Sequence, residues 1–184
     1  MAQNPKAAAA CFPAWFDGKN INEPMFCHTF LLSHLLLFSG DAFFTPQGRM
    51  QDDTPLREQI YKELEPYAVS GVPRKIQNII DLLKIMANAA DFPPKEDRIH
   101  LANGTLFLDG RFDGNMDEIV RSRLPIAYCP DAPEPAHWLL YLKDLLYEED
   151  IPTFQEYCGY CLLPTNKAQR MMIIGASDFP ADSL

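Results

Sequence analysis

The apolar residues in the first half of the chain recur with the period of an α-helix. An apolar run of helical length extends from Glu23 to His34. Farther along, Leu56, Ile60 and Leu64 recur every four residues, which places them on one face of a second helix. Pro73 fits the first turn of a third helix, whose isoleucines and leucines also follow core spacing. The pattern therefore predicts three helices in this half of the chain.

Short extended segments lie between and after these helices. Ala42 to Thr45 follows the turn Ser39-Gly40-Asp41 and is predicted to be the return strand of a hairpin. Arg98 to Phe112 is strand-like and contains the turn signals Asn103-Gly104 and Asp109-Gly110. We therefore expect two short β-hairpins.

One face of the second hairpin is expected to be buried. Leu106 and Leu108 alternate with Thr105 and Phe107, so the two leucines share a face of the strand. Leu124 to Tyr128 is predicted to be a further short extended piece.

The last part of the chain is predicted to contain a helical pair and a strand. Pro135 to Tyr147 and Ile151 to Leu163 have the pattern of amphipathic helices, and the apolar segment Met171 to Ile174 reads as a strand that stops at Gly175. The expected core of the helix pair consists of Trp138, Leu139, Leu142, Tyr157 and Tyr160. All elements together predict an α+β fold, mainly helical with short β-hairpins, whose C-terminal helical pair leads into an isolated strand.

Composition divides the chain into four parts. Residues 1–15 are expected to form a flexible arm, and residues 16–92 a helical N-terminal subdomain with a hairpin. The pair Pro93-Pro94 marks the start of a second region, residues 93–169. Residues 170–184, which begin with the predicted strand, form the last part.

The charge of the chain restricts its possible partners. The 184 residues include 16 Lys and Arg against 25 Asp and Glu, which gives a net charge of -9. A domain that holds nucleic acid by its own phosphate contacts normally shows a basic excess. Any contact with DNA must therefore come from a local patch or from a larger assembly, and an anionic membrane surface is an unfavourable partner.

The sequence favours a cytoplasmic protein. No segment reaches the roughly 18 uninterrupted apolar residues of a membrane span, and residues 1–10 lack the apolar core of a signal peptide. The five cysteines are odd in number and scattered, unlike a secreted disulfide framework. We expect reduced thiols, most of them buried.

Cys158 and Cys161 form a C-x-x-C pair inside a predicted helix. A pair at this spacing supplies half of a zinc site, and Cys129, His137 or another distant ligand would have to complete it. The alternative is that both are small buried residues that pack the helix. Burial is the favoured interpretation, so no metal site is predicted, and the two cysteines are only weak metal candidates.

Four basic residues are weak candidates for DNA contacts. Arg74 and Lys75 begin the third predicted helix, and Arg121 and Arg123 form a small cluster farther along the chain. Aromatic residues that could stack on bases are not interleaved with them, so surface solvation is the simpler expectation.

No complete catalytic site is predicted. The four histidines do not follow a metal-ligand spacing, and the acidic pairs fall at predicted helix starts and loops, where carboxylates favour the helix dipole. A Walker A loop begins with a glycine directly after an apolar strand, as Gly175 follows the predicted strand here. Ala176 and Ser177 come next, and there is no lysine after Lys167. A nucleotide site is therefore not expected in this chain.

Several segments, in this order, resemble the region upstream of the motor in phage and plasmid primase–helicases. That family is related to the poxvirus primase–helicase and belongs to helicase superfamily three. The matching segments are Arg98-Ile99-His100-Leu101-Ala102-Asn103-Gly104-Thr105-Leu106, Leu124-Pro125-Ile126-Ala127-Tyr128, Pro130-Asp131-Ala132-Pro133, Trp138-Leu139, Leu145-Leu146, Glu149-Asp150-Ile151, Phe154-Gln155-Glu156-Tyr157 and Gly159-Tyr160-Cys161-Leu162. The resemblance covers residues 95–175 well and departs from the family after Gly175.

The resemblance implies a non-catalytic accessory domain of a DNA-replication protein. Residues 93–169 would correspond to the family's region before the motor, and residues 170–184 to a truncated start of the ATPase domain. The domain would help subunits of the full-length helicase to associate and would present single-stranded DNA to the motor, binding it weakly if at all by itself. ATP and Mg²⁺ are expected as cofactors of the full-length parent and not of this chain.

Two other functions are compatible with the residues. One is a stand-alone phage protein that binds a host partner, and the other is a metal-dependent nucleotidyl-transfer or zinc-binding module. The first would form a specific complex without DNA, and the second would retain a metal ion on purification.

Overall fold

The structure is a computed structural model that describes residues 12–67 and 70–175. Within these ranges the chain contains five α-helices and two three-stranded antiparallel sheets, so the expected α+β class is confirmed. The chain divides into two compact units. Unit 1 extends to Pro93 and also includes Asn115–Arg123, and unit 2 contains Pro94–Gly114 and the chain from Leu124 onward.

Some sequence predictions lie outside the described residues. These are most of the arm predicted for residues 1–15, together with Cys11, and residues 176–184 after the predicted strand.

Three helices form the frame of unit 1, and each begins with a proline in its first turn. They are α1 (Glu23–Ser33), α2 (Thr54–Leu64) and α3 (Val72–Met86). Proline suits this position because its fixed φ is helical and its missing N–H would have no partner there. At α1 the Asn22 side chain also accepts a hydrogen bond of 3.1 Å from the Met25 N–H. All three helices were predicted correctly, α1 from an apolar run of helical length and α2 and α3 from the helical period.

The apolar faces of these helices meet in one core. The fully buried side chains of unit 1 are Phe26, Cys27, Phe30, Ile60, Leu64, Ile79, Ile80 and Leu83. Burying an aliphatic or aromatic side chain of this size contributes roughly 1.5–3 kcal/mol relative to exposure. The core therefore fixes the arrangement of α1, α2 and α3.

A small sheet completes unit 1. It consists of β1 (Leu37–Ser39), β2 (Ala42–Thr45) and β3 (Gly48–Arg49), in that order. Gly40 and Asp41 have φ values of 52° and 66°, as a two-residue hairpin turn requires. The hairpin was predicted, whereas the two residues of β3 are too few to give a sequence pattern.

Residues 115–123 return to unit 1 after the chain has entered unit 2. The Val120 N–H donates to the Thr45 carbonyl at 3.2 Å, and the Arg49 N–H donates to the Arg121 carbonyl at 3.2 Å. Val120 is only 2% exposed. The sequence pattern assigned this segment to the region 93–169, because one buried valine gives no periodic signal.

Unit 2 begins with a second small sheet. Its strands are β4 (Arg98–Leu101), β5 (Gly104–Phe107) and β6 (Phe112–Asp113). The extended piece predicted for Leu124 to Tyr128 does not form a regular strand. Its first residue still contacts the sheet, because the Leu124 N–H donates to the His100 carbonyl at 2.8 Å. The chain after residue 123 thus continues beside β4.

The prediction that Leu106 and Leu108 share a buried face is wrong. Leu108 lies beyond the end of β5 and is 59% exposed, and Leu106 is half-buried. The buried residue is Thr105, which is 4% exposed. Burial of this hydroxyl is tolerated because Thr105 Oγ1 lies 3.0 Å from His100 Nδ1, within hydrogen-bond distance.

Two predicted helices are present near the C-terminus, but they do not form a packed pair. They are α4 (Ala136–Leu145) and α5 (Ile151–Cys161). Their aromatic contact joins Trp138 and Phe154, whose ring centroids are 6.5 Å apart. Leu142 is the only buried residue of the two helices.

The predicted core of this helix pair is therefore mostly wrong. Leu142 is buried as expected, whereas Trp138 is 47% exposed and Leu139, Tyr157 and Tyr160 are half-buried. The amphipathic pattern gave the correct helices but not their partner. An apolar stripe indicates that a helix face avoids water, and it does not specify which surface covers that face.

The predicted strand Met171 to Ile174 is not a strand. Residues 170–175 have no regular secondary structure, and Met171 and Ile173 are 79% and 81% exposed. A strand needs a neighbouring strand for its backbone hydrogen bonds. Within the described residues this segment pairs with none.

Trp15, at the end of the predicted arm, packs in the core of unit 1, and its substitution tests this contact. The ring is 6% exposed, and its centroid lies 5.0 Å from that of Phe26 and 4.9 Å from that of Tyr67. We expect Trp15→Ala to lower the free energy of unfolding of unit 1 by about 3 kcal/mol or more, because a buried aromatic residue is lost. Phe12→Ala, at a half-exposed ring in the same segment, should cost about 1 kcal/mol. Chemical denaturation followed by circular dichroism measures both, and equal small losses would show that the segment is loose.

Candidate functional site

Arg121 and Arg123, two of the candidate DNA contacts, have structural partners in unit 1. Arg121 donates a hydrogen bond of 2.8 Å to the Phe92 carbonyl, and its guanidinium carbon lies 5.9 Å from the centroid of the Phe44 ring. Arg123 Nε donates to the Pro46 carbonyl at 2.8 Å. Partial burial lowers the pKa of Arg123 below its ordinary value. These two cations fasten the returning segment to unit 1.

Arg74 and Lys75 lie in the first turn of α3. Arg74 is exposed and Lys75 is half-buried. The Lys75 N–H donates to the Gly71 carbonyl at 3.2 Å. Cations near a helix N-terminus oppose the helix dipole, so these residues do not stabilise α3 electrostatically.

The expectation that Cys158 and Cys161 are buried is wrong, because both are exposed. They lie in the last turn of α5, where the Leu162 N–H donates to the Gly159 carbonyl at 3.1 Å. This i to i+3 bond tightens the helix end. No group of three or more His, Cys, Asp or Glu in residues 12–67 and 70–175 is placed to hold a metal ion. Among the described residues, Cys158 and Cys161 therefore have no third ligand residue beside them.

Cys27 is the buried thiol among the four described cysteines, so the expectation that most are buried is also wrong. Its Sγ donates to the Ile79 carbonyl at 3.6 Å. Burial, and secondarily the carboxylate of Glu23, raises the pKa of Cys27 to about 11. Cys27 is therefore a packing residue that stays protonated near neutral pH.

Acidic residues at helix starts act as local partners. Asp52 Oδ1 accepts a hydrogen bond of 2.8 Å from the Thr54 N–H at the start of α2. Asp53 lies 3.0 Å from Arg57, and this hydrogen bond holds the pKa of the Asp53 carboxyl below its usual value. Asp150 occupies the N-cap position of α5. Asp52 and Asp53 thus have local partners at a helix start, whereas the Asp150 side chain makes no capping hydrogen bond.

His34 is also held by packing. Its ring stacks on Phe30 with 4.1 Å between ring centroids, and its Nε2 lies 3.6 Å from Glu63. Burial raises the pKa of Glu63, and the charge of His34 opposes that shift. A shallow cavity of about 330 Å³ lies beside His34 and is lined by apolar residues such as Leu36 and Met50. Ser33 also lines the cavity, and its Oγ lies 3.1 Å from His34 Nδ1. The same hydroxyl lies 3.2 Å from the Thr29 carbonyl and 3.1 Å from the Phe30 carbonyl, so it serves as a local partner of the backbone at the end of α1.

An aromatic residue with two neighbouring cations lies in unit 2, where sequence reasoning did not predict a site. The guanidinium carbons of Arg98 and Arg111 lie 4.7 Å and 4.1 Å from the centroid of the Phe107 ring. The hairpin register places Arg98 directly opposite Phe107. The turn signal Asn103-Gly104 does not give this pairing, because a two-residue turn at those positions would place Asp109 opposite Arg98. In the structure Ala102 and Asn103 form the turn, and Leu101 pairs with Gly104.

Helix α4 carries an exposed apolar stripe. Trp138, Tyr141 and Leu145 are spaced three and four residues apart, so they share one helix face. They are 47%, 54% and 49% exposed, and the Trp138 and Tyr141 rings stack at 5.7 Å. We name these three residues the α4 stripe. Adjacent to Leu145 is a groove of about 360 Å³, whose lining includes Phe154 and Ile173.

The geometry thus offers an apolar surface and a cation–aromatic cluster, both in unit 2. No protein-family model matches the chain, and no curated protein sequence matches it. None of the helices in the described ranges is long and apolar enough to cross a bilayer.

The partners of Arg123 predict a structural effect of its removal. We expect Arg123→Ala to lower the free energy of unfolding by about 1–3 kcal/mol, because a hydrogen bond from a partly buried cation is lost. Arg74→Ala removes the same charge at an exposed position and should change stability by less than about 0.5 kcal/mol. Urea denaturation of the two variants tests this difference. Equal stabilities would contradict a structural role for Arg123.

The cysteine environments predict an order of reactivity. In the native protein Cys129, Cys158 and Cys161 should be alkylated readily by iodoacetamide at mildly alkaline pH, because all three are exposed. Cys27 should react only after unfolding, because it is buried and its pKa is raised to about 11. Timed quenching and peptide mass spectrometry measure the four rates. Native-state labelling of Cys27 as fast as that of Cys158 would contradict the packing described for α1.

Proposed function

We propose that the chain is a non-catalytic accessory domain of a phage or plasmid primase–helicase, and that it contributes to assembly of the replication complex. The observation that carries this proposal is the α4 stripe, an apolar helix face exposed to solvent. An amphipathic helix in a finished assembly buries such a face. The stripe therefore suits an interface, and its occupant in this proposal is a neighbouring copy of the chain.

The order of elements in unit 2 supports the proposal. The segments that resemble the primase–helicase family fall on the β4–β5 hairpin, on the piece beside β4, and on α4 and α5. In that family the last helix leads through a short polar loop into the first strand of the motor. Here the apolar residues 171–174 follow α5 and pair with no strand in residues 12–67 and 70–175. This is compatible with a segment whose sheet belongs to the motor.

The size of the α4 stripe suits a contact that forms within a larger assembly. Covering three large side chains that are each about half exposed would contribute a few kcal/mol in all, at ~25 cal/mol per Å² of apolar surface. Association itself costs several kcal/mol in lost freedom. The chain alone should therefore associate weakly, and the full-length helicase would strengthen the contact by holding several copies together.

The net charge of -9 predicts how this contact responds to salt. Copies of an acidic chain repel one another, and salt screens this repulsion. An apolar contact is not weakened by screening. Self-association through the α4 stripe should therefore become stronger as the ionic strength rises, whereas a contact made of ion pairs would become weaker.

Catalysis is assigned to the parent protein in this proposal. ATP and Mg²⁺ would act in the motor, and this chain would position the subunits and the single-stranded DNA. The purified chain should show no ATP hydrolysis above background. Retained zinc or metal-dependent nucleotide polymerisation would favour the alternative enzyme function instead.

The α4 stripe predicts a specific assembly defect. We expect the chain to self-associate weakly at high concentration and Tyr141→Asp to remain monomeric, because the substitution places a charge in the middle of the stripe. Leu32→Asp makes a comparable change at a residue of α1 that is 77% exposed, and it should associate like the wild type. Sedimentation equilibrium at low and high salt measures all three proteins.

Two results of this experiment would contradict the proposal. One is a wild-type chain that stays monomeric at every concentration and salt level. The other is an equal loss of association in Tyr141→Asp and Leu32→Asp, because that would place the contact outside the α4 stripe.

A further inference from the structure

One face of the unit 2 sheet combines an aromatic ring with basic side chains. Arg98 pairs with Phe107 and His100 pairs with Thr105 across β4 and β5, so these four side chains project from the same face. The Phe107 N–H also donates to the Arg111 carbonyl at 2.9 Å. Phe107 therefore has Arg98 as its neighbour on the β4 side of the strand and Arg111 as its neighbour on the opposite side.

The two arginines beside Phe107 are held differently. Arg98 makes two hydrogen bonds to Asp97, of 2.8 Å and 2.9 Å, and its side chain is 21% exposed. This pairing holds the pKa of the Asp97 carboxyl below its usual value. Arg111 lies 3.9 Å from Asp109 and its side chain is 65% exposed. Arg98 therefore positions the ring, and the guanidinium of Arg111 remains accessible to a ligand.

We infer that this face is a stacking platform for single-stranded nucleic acid, in which the half-buried Phe107 ring supports the exposed guanidinium of Arg111 from below and bases stack on that guanidinium. Aromatic rings and guanidinium planes both stack on unpaired bases, and an arginine can at the same time contact a phosphate. Bases in a duplex are stacked on one another and are not available to such a surface. The inference rests on the proposed function for the choice of DNA as the natural strand.

The acidic balance of the chain is compatible with a platform of this kind. Stacking does not require a basic domain, because every base has an apolar face. A single exposed arginine adds a local phosphate contact, and each such contact with a single strand changes the slope of log K against log salt by about 0.7. The platform is thus a local patch, which is the type of DNA contact that a net charge of -9 permits.

The test is fluorescence anisotropy of labelled oligothymidine at low salt. Wild type should bind weakly, and Phe107→Leu and Arg111→Ala should each weaken binding by about tenfold, the size of one lost stacking contact. Two matched controls should bind like the wild type. Arg74→Ala removes an exposed charge from unit 1, and Phe112→Leu removes a ring that the strand register places on the opposite face of the sheet.

Two further probes separate stacking from charge attraction. An abasic strand of the same length keeps the phosphates and loses the bases, so it should bind wild type as weakly as oligothymidine binds Phe107→Leu. A duplex of the same length should also bind weakly. Oligouridine should bind like oligothymidine, and a preference for it of more than about tenfold, or 1.4 kcal/mol, would replace DNA by RNA as the ligand.

The same samples show which of the two proposals fails. Equal weakening by Arg74→Ala and Arg111→Ala, equal binding of the abasic strand, or no binding at low salt would overturn the platform. Sedimentation of Phe107→Leu and Arg111→Ala reports on assembly independently, because neither residue belongs to the α4 stripe. If the wild type self-associates but does not bind the single strand, only the platform is contradicted. If the wild type does not self-associate, the proposed function is contradicted.

Discussion

The burial of apolar helix faces is the interaction on which both units depend, and the two units meet this requirement differently. In unit 1 the faces of α1, α2 and α3 close on one another, and Trp15 adds its ring to the same core. In unit 2 the faces of α4 and α5 have one buried residue between them, Leu142. Unit 1 therefore contains its own core, whereas the C-terminal helices of unit 2 leave apolar side chains such as Trp138 and Tyr141 exposed.

Sequence predicted the elements that local physics determines. The helical period, first-turn prolines and, for α1, an apolar run of helical length located the five described helices, and the turn residues located both hairpins. Non-local outcomes were missed. Burial of Thr105 depends on a cross-strand contact with His100, and Cys158 and Cys161 are exposed because α5 contributes no buried residue. A periodic pattern contains neither kind of information, because it describes one element at a time.

The candidate surfaces differ in how much of them could be predicted. The amphipathic pattern predicted helix α4, but of the α4 stripe only Trp138 was named among the expected core residues of the helix pair. Phe107 and Arg111 were separated in sequence by a turn, so their contact became evident only from the fold. By contrast, Arg121 and Arg123 formed a visible basic cluster and serve to fasten a segment of unit 1. Clusters of charge in sequence are thus poor guides to binding when backbone carbonyls take their hydrogen bonds.

The exposed α4 stripe connects the fold to the proposed role in assembly, and the fluorescence of Trp138 reports on the stripe directly. The chain has two tryptophans, so Trp15→Phe leaves Trp138 as the only one. Acrylamide quenching of its fluorescence should be measured over a wide range of protein concentration at high salt. Burial of the α4 stripe in an interface predicts a blue shift and reduced quenching as the concentration rises. Emission that stays red-shifted and fully quenched while the protein associates would show that the stripe is not the interface.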